Sequence, residues 1–281
     1  MGFASAAILI LMGGFADELY TQGDYGMAAL EYSRVLFEAG DTLGHPEEAL
    51  RLARCRHLLG DLESSIFLYD YLIQGLPDGD DRARALLGAG SVYAELQYHD
   101  MSREAYAQAA SAAEEDELLF RSELLMALAP MHRSHWSQSS AELSAVGQRW
   151  QGDKRLLAEE LSALASRGER LPGRDPFWCG VASAVIPGSG QLICGHTRDG
   201  LTALSMTAAT GALFILSLDE DNLSTSILLG WLSLSFYGAN VYGGSRAAEY
   251  YNSARRRELL QEVYHRLDQD RANLSYLYDS L

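Results

Sequence analysis

The chain has 281 residues, a formal net charge of −16 and a sequence pI of about 4.8. That length accommodates two domains, and so acidic a chain lacks the basic face that nucleic-acid phosphates need, which excludes nucleic acid as a partner. Three cysteines, Cys55, Cys179 and Cys194, form no disulfide framework and leave the compartment open.

At the N-terminus, the apolar run from Phe3 to Met12 has the length of a signal-peptide core and is too short to span a bilayer with ease. Gly14 and Ala16 supply small residues before a cut at Asp17, so residues 1–16 read as a signal peptide, though one without Lys or Arg. The alternative reading is a first repeat helix, because Ala16 also falls on the small position of the period that follows.

Residues 17–170 repeat at a spacing of 37. Ala16, Ala53, Gly90 and Ala127 are small; so are Ala28, Ser65, Ser102 and Ser139, twelve residues further on. Four residues beyond those come Tyr32, Tyr69, Tyr106 and Leu143. Tyr25, Leu62, His99 and Trp136 add a bulky group at the turn between. Such a period predicts an all-α solenoid of about four helix pairs, since one pair cannot bury its apolar face alone. In the second pair, Pro46 to Leu59 and Leu62 to Gly75 read as helices, with Gly60-Asp61 as the turn and Pro77 as the stop. Asp116 to Leu128 opens the fourth pair. Lys154 to Arg167, with Leu156, Leu157, Leu161 and Leu164 on one face, reads as a capping helix.

These residues resemble the tetratricopeptide repeat family. The second unit supplies Leu52-Ala53, Ser65, Tyr69 and Pro77; the third supplies Leu86, Gly90, Tyr93, Ser102, Tyr106 and Ala109. The period exceeds the family's ~34 residues, which fits longer inter-unit turns. The resemblance implies binding of a protein or peptide on a concave face lined by the first helix of each pair. There Arg51, Arg54 and Arg84, with Arg56 and Arg82, are candidate clamps for an acidic or C-terminal carboxylate ligand. The bland alternative is that they are solvated side chains.

Residues 177–248 read as a membrane domain. Leu201–Leu218 and Ser224–Ser245 are uncharged and long enough to span, with the acidic loop Asp219-Glu220-Asp221-Asn222 between them, so they predict a transmembrane helical hairpin. Ser205, Ala208, Ala209 and Gly211 on one span, and Gly230, Ser233, Gly238, Ala239 and Gly243 on the other, are expected to let the helices approach. Asn240 is expected to bond across this hairpin. Upstream, residues 177–195 are also uncharged, but Pro187, Gly188 and Gly190 break the segment. It is either a kinked span or a re-entrant hairpin.

Pro187-Gly188-x-Gly190-Gln191, then Gly195, Asp199-Gly200, Asn240, Gly243-Gly244 and Ala247-Ala248-x-Tyr250-x-Asn252 are similar to bacterial two-span membrane domains of unknown function that open with Pro-Gly-x-Gly-Gln, a domain that some proteins join to tetratricopeptide repeats. Ile193-Cys194 departs from that pattern, where an aromatic residue is common. The resemblance implies an exported repeat domain with an inner-membrane anchor and brings no established activity.

Residues 249–281 read as an amphipathic helix, with Leu259, Leu260, Val263 and Leu267 on one face, followed by a tail. Arg246 and Arg255 to Arg257 belong on the cytoplasmic side by the positive-inside rule. With a cleaved signal the repeats are periplasmic and residues 177–195 cross; with a re-entrant segment the repeats are cytoplasmic. The signal favours the periplasmic arrangement. His132 and His135 lack a third ligand, Gly188-Ser189-Gly190 lacks the lysine of a phosphate loop, and no nucleophile elbow is present. The chain therefore reads as a non-enzymatic scaffold of the bacterial inner membrane, binding a protein partner without cofactor, metal or small-molecule substrate. The alternative is a membrane-active component acting on lipids, transport or membrane-protein insertion through the Pro-Gly-x-Gly-Gln segment.

Overall fold

The computed structural model describes residues 14–218 and 223–273, with side chains through 267. Most of the expected signal, the acidic loop and the end of the tail lie outside the described residues. No strand occurs among the described residues, and the chain divides into two compact units, residues 1–169 with 263–281 and residues 170–262.

The first unit contains α1 (14–21), α2 (Tyr25–Ala39), α3 (Pro46–Leu58), α4 (Leu62–Gly75), α5 (Asp80–Glu95), α6 (His99–Ala112), α7 (Asp116–Leu128), α8 (Trp136–Arg149) and α9 (Asp153–Glu169). The turn inside each pair is the same structure four times. Gly23, Gly60, Gln97 and Ser134 all take positive φ, between 62° and 80°. The next residue, Asp24, Asp61, Tyr98 or His135, has φ near −84° and ψ of 62° to 69° and opens the second helix. Asp24 and Asp61 cap by accepting hydrogen bonds from the N–H groups of Met27 and Ser64. Chain geometry therefore repeats every 37 residues even where the glycine does not.

Small residues set the spacing within pairs. Ala16, Ala53, Gly90 and Ala127 are buried, as are Ala28, Ser65, Ser102 and Ser139. Ser65 Oγ donates to Ala53 O at 2.8 Å, and Ser139 Oγ donates to Ala127 O, so the second helix of each of these pairs is tied to the first by a buried hydroxyl. The large residues have two destinations. Tyr106 covers Gly90 in its own pair, whereas Tyr69 reaches Gly88 in the next; a Cβ at Gly88 would fall inside the Tyr69 ring. Helix α3 also touches α5, and α5 touches α7, so first helices stack on first helices.

On α9 the buried stripe is Leu157, Ala158, Leu161, Ala165 and Gly168, and Leu156 is exposed. Of the expected stripe, Leu157 and Leu161 are buried, Leu156 is exposed and Leu164 half-buried, and Ala158, Ala165 and Gly168 complete the buried face. Trp136 packs on Gly168, and Ser140 meets Ser162 and Ser166.

The second unit contains α10 (Pro176–Val185), α11 (Ser189–Ile193), α12 (Thr197–Ser217) and the early part of α13 (Leu223–Asn273). The expected separate helix after residue 249 is a continuation of α13. One helix among the described residues, α12, is long and apolar enough to cross a membrane by length and composition; α10 is a shorter apolar helix. Helices α12 and α13 run in opposite directions side by side: Ser226 Oγ donates to Ser217 O at 2.7 Å, and Gly230 accepts the ring of Phe214. Not all the small residues serve this contact. Ser205, Ala208 and Ala209 are exposed, and a Cβ on Gly238 would meet nothing.

Candidate functional site

Two constellations concentrate polar groups, one in each unit. In the second, Pro187 and Gly188 end α10, and Gly188 takes φ +86° with its backbone against Gly200. A side chain there would be strained and would strike Gly200 O. Helix α11 then runs back along α10. Its return is close enough that a Cβ on Gly190 would meet Cys179 O, and Cys179 Sγ lies 3.7 Å from Cys194 Sγ.

The break leaves backbone groups inside an apolar unit, and three buried side chains satisfy them. Asn240 Oδ1 accepts from Gly188 N at 2.7 Å, and Asn240 Nδ2 donates to Ser183 O at 2.7 Å. Ser183 Oγ accepts from Gly190 N and donates to Gln191 Oε1, both at 2.9 Å, while Gln191 Nε2 donates to Asn240 O at 3.2 Å. Gly243 leaves room for the Gln191 amide, and Gly244 for Ser183. The six motif residues of the sequence, Pro187, Gly188, Gly190, Gln191, Asn240 and Gly243, thus fall at one place. Asn240 does not bond to the first span as expected; it clasps the broken segment, where unpaired backbone polar groups are most costly. Ser183, at the centre of the network, carried no sequence signal, because a serine in an apolar run is ordinary.

Beside the clasp, Gln191, Asp199, Thr202, Thr207 and Asn240 line a crevice of about 280 Å³ between α12 and α13. Thr207 Oγ1 is buried there without a hydrogen-bond partner.

In the first unit, α3 and α5 enclose an open cleft of about 410 Å³ lined by His45, Glu47, Glu48, Arg51, Asp81 and Arg84. Arg51 and Arg84 both line it, but each guanidinium is already paired. Arg51 bonds Asp17 and Glu47, and the Tyr32 hydroxyl donates to Asp17 at 2.6 Å, so three helices share one polar knot. Burial and that neighbouring carboxylate push the Tyr32 hydroxyl pKa up. Arg84 bonds Asp81 and lies 3.6 Å from Glu115. Arg54 is absent from the cleft lining and sits by His57. The cleft and the groups bonded to its arginines therefore hold more carboxylates than guanidiniums.

His132 stacks on His99 at 5.2 Å and its Nε2 lies 2.8 Å from the Tyr264 hydroxyl; among the described residues no group of three or more His, Cys, Asp or Glu is placed to hold a metal.

Compared with known proteins, the chain matches no family model, no curated protein and no solved structure.

Proposed function

We propose that this protein is a membrane-anchored scaffold of tetratricopeptide type that holds a protein partner in the α3–α5 cleft. The observation that carries the reading is the inter-helix turn recurring every 37 residues, with first helices stacked on first helices to leave an open cleft. A stack of that kind offers an extended binding face, and neighbouring units act additively on it. The charge of the cleft refines the partner. Arg51 and Arg84 are neutralised internally, and residues 14–169 carry 27 acidic against 13 basic side chains. A basic segment of the partner, not an acidic one, is the complementary ligand.

Anchoring is by α12 and the early part of α13 as a transmembrane hairpin, with α10–α11 as a re-entrant segment. Helix α10 has 10 residues, about 15 Å at 1.5 Å per residue, roughly half of a bilayer core. Arg174, near the start of this unit, and Asn252, near its end, bond reciprocally at 2.7 and 2.8 Å. Entry and exit at one end, beside Arg246 and Arg255–Arg257, favour a cytoplasmic repeat unit by the positive-inside rule. Ala16 supports the same side: it is fully buried in the core with Tyr32 and Ala53, so a signal cut before Asp17 would remove a core residue.

The test uses the full chain in membranes, with a photo-crosslinking group at His45 and reporters for topology fused after Arg170. Crosslinks to a basic protein segment, lost in Glu48→Lys, and a cytoplasmic reporter are expected. Capture of an acidic segment, or a periplasmic reporter, overturns the respective half. A second reading, a membrane-active component, is favoured by the crevice holding the unpartnered Thr207 hydroxyl. It predicts that Thr207→Val, which leaves the clasp intact, abolishes a membrane phenotype without touching partner capture.

A further inference from the structure

The second unit is nearly neutral, yet five of its seven arginines gather at one end. Arg174 precedes α10, and Arg246, Arg255, Arg256 and Arg257 lie within twelve residues of α13, where Glu249 is the one acid. Their geometry is organised by tyrosines. The Arg174 and Arg255 guanidiniums each lie 5.5 Å from the centroid of the Tyr251 ring, and Arg246 lies 5.1 Å from that of Tyr250. Ring faces hold planar guanidiniums in fixed orientations while leaving their edges free to donate.

The platform is rigid underneath. Asn252 clamps both backbone groups of Arg174, Asp175 caps α10 through the N–H groups of Phe177 and Trp178, and Tyr251 packs on the buried cluster of Cys179, Cys194, Ala247 and Ala248. Arg246 and Arg255 are partly offset by Glu249 and Glu258. Arg174 and Arg257 have no ion pair among the described residues, and both are exposed. Beside them the rings of Phe177 and Trp178 stand 66% and 64% exposed, edge to face with each other. Cations above and amphipathic rings beside an uncharged helix match the order of groups in a bilayer interface.

We propose that this end of the second unit binds the phosphate of anionic phospholipids, with Arg174 and Arg255, both held at Tyr251, as paired donors and Arg257 adding charge. A guanidinium presents two parallel N–H groups to two phosphate oxygens, a match that an ammonium lacks. Phe177 and Trp178 seat against the acyl chains below the same headgroup. This assignment rests on the reading that α12 and α13 lie in a bilayer.

The experiment puts the full chain into nanodiscs made of equal parts phosphatidylglycerol and phosphatidylcholine and counts retained lipids by native mass spectrometry. The wild type is expected to retain phosphatidylglycerol preferentially. Arg174→Gln with Arg255→Gln should lower that preference by about fivefold per arginine, the effect of one surface cation on anionic lipid. Tyr251→Phe, which keeps the ring, should preserve it, and Tyr251→Leu should not. Arg257→Gln, at an exposed position without a partner, supplies a variant whose folding is not at issue and should cost about fivefold alone. Equal retention of the two lipids by the wild type, or an unchanged preference in Arg257→Gln and the double variant, overturns the inference while leaving the membrane reading intact. Displacement of bound lipid by excess inorganic phosphate would mean a free-anion site and also overturns it. Recovery of the chain in the aqueous fraction, without lipid, refutes the membrane reading and this inference together.

Discussion

Oxidation of Cys179 and Cys194 distinguishes a re-entrant α10–α11 from a segment that crosses the membrane. The two sulfurs are 3.7 Å apart, both residues are buried, and neither is in a disulfide. A bond needs the sulfurs to close to about 2 Å with Cβ atoms about 4 Å apart, a movement that side-chain rotation can supply. Were residues 177–195 one kinked span, fifteen residues of helix would separate them by roughly 22 Å. An apolar aromatic disulfide reagent, which enters lipid, takes up the two thiol hydrogens, leaves as two thiopyridones and joins the sulfurs. With Cys55→Ser to remove the third thiol, mass spectrometry after alkylation of intact membranes reads the product. The expected product is an intramolecular disulfide between peptides of α10 and the α11 end. Closing a loop of this length stabilises the α10–α11 hairpin by about 3 kcal/mol in the chain-entropy picture, so the oxidised protein should also resist proteolysis at Pro187–Gly188. Two separately alkylated or separately capped cysteines, under conditions that oxidise a control dithiol in the same membranes, would refute the folded-back geometry.

Three other outcomes follow from named contacts. Asn240→Leu leaves the Gly188 N–H and the Ser183 carbonyl unpaired in apolar surroundings, a loss of about 2–4 kcal/mol for two groups; an unchanged unfolding midpoint in mixed micelles would mean that Asn240 is not the clasp. Gln97→Gly removes a side chain from a left-handed position, φ 65°, and should raise the melting point of the first unit through about 1 kcal/mol of relieved backbone strain; a lower melting point contradicts the turn geometry. His132, whose pKa is lowered first by burial and then by His99, is neutral in the fold and takes up a proton more readily when unfolded. Its contribution is therefore complete above about pH 6.5 and is lost as pH falls through the lowered folded value. Thermal melts of the full chain should weaken across that interval, and less so in His132→Gln; identical pH slopes would exclude His132 as the cause.

Much of the helical layout was readable along the chain, and the reason is local. Small residues, turn glycines and capping aspartates act over a few positions, so their period of 37 marks where helices stop and start. Proline and glycine at 187–190 equally announce a broken helix, since neither supports a regular one in that context. Gln97 and Ser134 mark the limit of that logic. They adopt the glycine conformation because the packed pairs hold them there, not because their own preferences call for it.

The partners of polar side chains were decided by tertiary structure. Arg51 and Arg84 each have a carboxylate one turn away on their own helix, Glu47 and Asp81, but only the approach of α1 and the start of α7 adds Asp17 and Glu115. Asn240 could equally face the neighbouring span by its position in the chain. It turns to the α10–α11 break because that is where the fold leaves a buried N–H and a buried carbonyl without intrahelical partners. Composition and period therefore determined which segments are helical and, in the repeat unit, where they end. Which side chains meet was settled by the folding of non-adjacent segments, because satisfying a buried polar group depends on neighbours in space that the order of residues does not name.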